Sequence, residues 1–107
     1  HEQNMENTRF ADVMKYENQW KDLCLAIDQH GRTLVSIFDI VPQNELHKLK
    51  DLSNYDFTMY ALQQWMHRPD AFVSVLMKYL EKIQNLAGTE VLLKIWNSYQ
   101  QKHSSEN

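Results

Sequence analysis

Trp20, Leu23, Cys24 and Ile27 stand at i, i+3, i+4 and i+7, and this spacing returns along most of the chain. Residues so placed fall on one side of an α-helix, whereas a half-buried strand requires strict alternation. The scarcity of breakers points the same way. Two Gly and two Pro in 107 residues are too few for the turns of an all-β domain. That length suits one domain, burying roughly 65% of its unfolded surface around a single core without a staple.

The polar ends, residues 1–7 and 102–107, are expected to be disordered tails around one helical module over residues 8–101. Thr8 is placed to cap a helix from Arg9 that carries Phe10, Val13 and Met14 on one side. The weak break at Glu17-Asn18 leaves either one bent helix or two, and Gly31 is expected to end the pattern in the left-handed conformation. After Thr33, the run Leu34, Val35, Ile37, Phe38, Ile40 and Val41 is strand-like by propensity. With no partner strand elsewhere, it reads as a short buried helix closed by Pro42, because the residue before a proline is pushed out of the α region.

Gln43 to Leu52 carries Leu46, Leu49 and Leu52, a thin stripe on a short helix. Ser53 or Asn54 caps the next, whose face holds Phe57 or Thr58, then Ala61, Leu62, Trp65 and Met66. His67-Arg68-Pro69-Asp70 then interrupts a good pattern. Pro69 suits a first helical position and Asp70 the positive end of a helix dipole, so a corner between two antiparallel helices is expected. Phe72, Val73, Leu76, Tyr79, Leu80 and Ile83 line the second of these. Gly88 or Thr89 restarts the chain, and Val91, Leu92, Ile95, Trp96 and Tyr99 form the last stripe. The fold class is all-α: about six helices with short connections, packed as an antiparallel bundle.

A net charge of -3, with eleven basic residues spread along the chain, disfavours nucleic acid as a partner, since binding it requires clustered cations. A mean hydropathy of -0.60 and no long apolar run argue against membrane insertion. The single Cys24 cannot form an intrachain disulfide, which fits the reducing cytoplasm.

No catalytic machinery is expected. The five histidines show no metal-ligand spacing and read as exposed loop residues, so neither metal nor cofactor is anticipated. Cys24 shares a stripe with Trp20 and Ile27 and reads as core; Asp39 and Glu45, flanking Pro42, read as surface. Two isolated glycines cannot build a phosphate loop. Trp20, Trp65, Tyr79 and Trp96 stand at helical spacing and read as core. What remains is "NELHKLKDLSNYD", a barely anchored segment of mixed charge: either an ordinary solvated face or a recognition surface.

"QWKDLCLAI" resembles the opening helix of the death-domain family, and "YALQQWMHRPDAFVSVLMKYLEKI" resembles its central signature, a helix ending in a Trp-containing turn followed by a leucine-rich one. "NLAGTEVLL" would be the closing helix. The resemblance spans residues 16–96; residues 30–42 are more apolar than the family's second helix, and 8–15 lie before its first. It implies a six-helix antiparallel Greek key with no catalysis, to which residues 8–15 would add an extended first helix or an extra one. Such domains, in adaptors of the Fas-associated sort and in innate-immune signalling, bind another death domain through charged, asymmetric surfaces that support head-to-tail assembly. By position, the resemblance nominates Arg32, Glu45, Lys48, Lys50, Asp51, Arg68 and Asp70, with Lys21, Asp22, Asp56 and Gln63 as complementary surface. Asp70 capping a helix and Arg68 pairing with it is the simpler alternative for those two. The partner is then a receptor, adaptor or kinase carrying a like domain.

A second function class is a helical module gripping a partner helix or peptide in an apolar groove. Val35, Phe38, Met59, Tyr60 and Trp96 are the residues not needed by a minimal core, and exposure of several in one patch would favour it.

Overall fold

Wherever the apolar spacing is helical the chain forms a helix, and each helix turns its stripe inward. A computed structural model describes residues 4–104. Six α-helices, α1 (Phe10–Glu17), α2 (Trp20–Ile27), α3 (His30–Phe38), α4 (Asn54–Trp65), α5 (Val73–Lys82) and α6 (Leu86–Ser104), are joined by a 3-10 helix at Gln43–Leu49 between α3 and α4. The fold is therefore all-α. The one extended pairing among the described residues is an isolated antiparallel bridge between Arg9 and Phe72.

The long α6 is the hub: α1, α2 and α5 pack on it, while α3 packs on α4 and α5, and α2 reaches across to α4. Phe10, Leu23, Ile27, Leu34, Leu62, Leu76, Leu80, Leu92 and Ile95 are all but fully buried between these layers. Trp65 is buried, as its spacing requires, with its ring 5.7 Å from that of Phe10 and 6.3 Å from that of Tyr79.

Helix boundaries depart from the sequence expectations at several places. The chain breaks between α1 and α2, so the bent-or-split question resolves as two helices, with Asn18 left-handed (φ 47°) between them. Gly31 ends nothing. It lies in the first turn of α3, and the reversal is made by Asp28 (φ 49°). Glycine is needed at 31 for room, since a Cβ there would overlap Thr58 Oγ1 and lie 3.1 Å from Thr58 Cβ. Pro42 does not close α3 either; Asp39 (φ 52°) ends it and Pro42 precedes the 3-10 helix. Short Asn and Asp side chains tolerate the left-handed region better than most, so Asn18 and Asp39 end their helices there, while Asp28 turns the chain at positive φ outside that region.

Thr8 does not cap α1: its hydroxyl donates backward to the Asn4 carbonyl at 2.8 Å, and Arg9 occupies the cap position. The last helix begins at Leu86, earlier than expected, because buried Asn85 caps it. Its Oδ1 accepts from Gly88 N–H at 2.6 Å and its Nδ2 donates to the Ile27 carbonyl at 3.2 Å. Ser53 does cap α4, accepting from Asp56 N–H at 3.1 Å.

The His67–Asp70 corner is longer than expected. α5 starts at Val73, so Pro69 is not its first residue and Asp70 not in its first turn. The cause is the N-terminal segment. The carbonyls of Thr8 and Met5 accept from the N–H groups of Val73 and Ser74 (3.0 and 2.9 Å), and the Ala71 carbonyl accepts from Phe10 N–H at 2.8 Å. Phe72, at the N-cap, has no side-chain cap to offer, and backbone from the beginning of the chain serves instead. The segment expected to be a tail is thus folded from residue 4, where Asn4 Oδ1 accepts from Glu6 and Asn7 N–H, both at 3.0 Å. Residues 1–3 and 105–107 of the expected tails lie outside the described residues, and 102–104 continue α6.

Candidate interaction surface

Leu49 is fully buried, while Leu46 and Leu52 are partly buried against the core, so the 3-10 helix is pinned by one edge. Its other faces carry charge. Arg32, near the start of α3, ties the end of this segment down. Its Nη2 donates to the Leu52 carbonyl at 2.7 Å and its Nε to Asn54 Oδ1 at 3.1 Å. The guanidinium lies 4.5 Å from the Phe57 ring centroid, a cation–π contact on the stem of α4. Arg32 is therefore a fastener as much as a surface charge.

On this frame Glu45 and Lys48 form an ion pair at 2.7 Å. The hydrogen bond to Glu45 and its negative charge raise the pKa of Lys48 above the ordinary lysine value, with a smaller contribution from the Tyr60 hydroxyl. On α4, which follows, residues 56, 60 and 63 share one face by helical spacing. Lys48, Lys50, Asp51, Asp56 and Gln63 are all exposed. Arg32, Glu45, Lys48, Lys50 and Asp51 thus belong to the segment around the 3-10 helix or are tied to its end, and Asp56 and Gln63 to the helix that follows it.

The other four stand apart from it by every hydrogen bond and ion pair among the described residues. Lys21 and Asp22 are exposed on α2. Arg68 turns inward, its Nη2 donating to the carbonyls of Asp39 at 2.7 Å and Ile40 at 3.2 Å. It thereby locks the chain after α3 to the corner, and Arg9 locks the corner from the other side by donating to the Met66 and Arg68 carbonyls. Asp70 is exposed and does not pair with Arg68.

Of the residues named as candidates for an apolar groove, two are buried and three are partly buried. Val35 and Trp96 are 8% and 5% exposed. Phe38 stacks on Tyr79 with centroids 4.1 Å apart, and Met59 and Tyr60 are half-buried. A different concavity, missed by the sequence reading, lies among Met5, Met77, Glu81, Thr89, Glu90 and Leu93. The signal for it was available: Leu86, Glu90 and Leu93 recur at i, i+4 and i+7, off the stripe that α6 buries.

Cys24 is fully buried, and burial pushes its thiol up to about 12. The histidines are less uniform than expected. His30 opens α3 and His103 lies near the end of α6, both half-buried, with His103 edge-on to Tyr16 at 4.6 Å. His47 sits in the 3-10 helix, and His67 alone of the described four is in a loop. The described residues contain no group of three or more His, Cys, Asp or Glu placed to share a metal ion, and no described helix is long and apolar enough to cross a membrane.

Fold and surface together define an all-helical bundle with a mixed-charge face fastened to its frame by arginine. No protein-family model matches the chain, and no curated protein or solved structure matches it.

Proposed function

We propose that this chain is a non-catalytic protein–protein interaction module of the death-domain type, binding a like domain on another protein in apoptotic or innate-immune signalling in the cytoplasm. The observation that carries the reading is the charged region on the 3-10 helix and α4. Opposite charges alternate there within a few residues, and Arg32 holds the segment to Leu52 and Asn54. A held surface of mixed sign selects one partner and one orientation by electrostatic complementarity, and adds less to raw affinity. The all-helical order from α2 onward and the buried Trp65 at the end of α4 support the reading, whereas α1 is additional to the family pattern.

The test is capture from a cytosolic extract on immobilised protein, with identification by mass spectrometry, beside a Lys48→Glu/Lys50→Glu variant. Both lysines are exposed, and an unchanged urea midpoint verifies that the fold survives loss of the Lys48–Glu45 ion pair, whereas reversing Arg68 would also release two carbonyl contacts. Recovery of another death-domain protein, lost in the variant, is the expected result. Recovery only of partners indifferent to the reversal overturns the homotypic reading.

A further inference from the structure

On the side of the molecule formed by α5, α6 and the N-terminal turn lies an open groove of about 370 Å³, lined by Met5, Met77, Glu81, Thr89, Glu90 and Leu93. Its apolar lining is methionine and leucine. Leu93 is 46% exposed, and Leu86, on the same face of α6, is 74% exposed. Neither serves the core, which α6 fills with Leu92, Ile95, Trp96 and Tyr99. Leu86, Glu90 and Leu93 recur at i, i+4 and i+7, so they form a single stripe about 10 Å long, two helical turns. Met77 and Glu81 share a face of α5 in the same way.

Charge decides what such a stripe accepts. Glu81 and Glu90 are exposed at the groove, and neither is ion-paired among the described residues, although Lys78, Lys82 and Lys94 stand nearby in sequence. An acidic rim repels the anionic lipid surface that an apolar patch would otherwise suit, and it favours a cationic occupant. Methionine side chains adapt to the shape of what they bind. A two-turn apolar stripe matches the side chains that an amphipathic helix presents at i, i+4 and i+7.

We infer that the α5–α6 groove docks a basic amphipathic helix of a partner protein, its apolar residues on Met5, Met77 and Leu93 and its lysines or arginines against Glu81 and Glu90. This site is separate from the charged surface proposed for homotypic binding and does not depend on that reading.

The test uses the 107-residue chain and a fluorescein-labelled synthetic helix of about four turns, leucine on one face and lysine elsewhere, followed by fluorescence anisotropy. Controls are a scrambled peptide of the same composition and an acidic version with glutamate in place of lysine. Two variants, Leu93→Ser and Glu81→Lys/Glu90→Lys, alter exposed side chains only, and unchanged urea midpoints verify their folds. Saturable binding of the basic helix is expected, weakened about tenfold or more in each variant, with no saturation by the scrambled or acidic peptide. Absence of saturable binding by the basic helix overturns the inference. So does equal binding of either control, or wild-type affinity in both variants.

Discussion

Thr58 Oγ1 occupies the space a side chain at Gly31 would need, and the same hydroxyl donates to the Asp28 carbonyl at 3.2 Å. The close approach of α3 to α4 is set at this point, and it makes one of the two glycines a packing residue. In an exposed helix, Gly→Ala stabilises by about 1 kcal/mol. Here Gly31→Ala is expected to destabilise by about 1–3 kcal/mol through overpacking. Urea melts of Gly31→Ala, Thr58→Ala and the double variant check it: removing Oγ1 should recover part of the loss, so additive effects would contradict the contact.

Trp65→Ala removes a large buried ring from between Phe10 and Tyr79 and is expected to cost about 3–5 kcal/mol. Because small domains have only about 5–15 kcal/mol in hand, much of the population should unfold in mild denaturant. An unchanged urea midpoint would take Trp65 out of the core.

Asn85 serves two helices with one amide, capping α6 through Gly88 and holding the end of α2 through Ile27. Asn85→Ala is expected to lose about 1–2 kcal/mol, since both partners are left buried. Asn85→Asp keeps the acceptor for Gly88 but sets a carboxylate against the Ile27 carbonyl. Thermal melts near neutral pH should therefore show it also below the parent protein.

The beginning of the chain completes α5. Deleting residues 1–8 removes the carbonyls of Met5 and Thr8 that accept from Ser74 and Val73. Faster amide exchange at these two positions is expected, measured by NMR, with the centre of α6 less affected. Unaltered protection at Val73 and Ser74 would show that water replaces the strap at no cost.

Cys24 makes stability depend on alkaline pH. Its thiol is raised from 9.0 to about 12 in the folded protein, so between those values the unfolded chain has lost a proton the folded one keeps. The contribution is fully present below pH 9 and is lost as pH rises toward 12, at up to about 1.4 kcal/mol per pH unit. The difference between the parent and Cys24→Ala isolates the thiol from every other group. The slope of stability against pH should be shallower in the variant, and identical slopes would refute the assignment.

The helical class and most of the core were legible in the sequence. Apolar residues at 3.6-residue spacing have one way to leave water together, and Phe10, Leu23, Ile27, Leu62, Leu76 and Leu92 are buried accordingly. The charged residues around the 3-10 helix were legible too, because polar side chains between three leucines have no interior to enter. Helix ends were not. Gly31, Pro69 and Thr8 each carried a strong local signal, and each was overruled by a contact that the apolar pattern does not carry: Thr58 for the glycine, the pairing of the N-terminal segment with residues 71–74 for the proline, and the Asn4 carbonyl for the threonine hydroxyl. Arg32 and Arg68 read as surface charge, yet only the fold brings the Leu52, Asp39 and Ile40 carbonyls within their reach. Periodicity is a property of neighbours along the chain and survives in the sequence. A backbone group's hydrogen-bond partner is settled by which segments meet, and that is decided only when the helices pack.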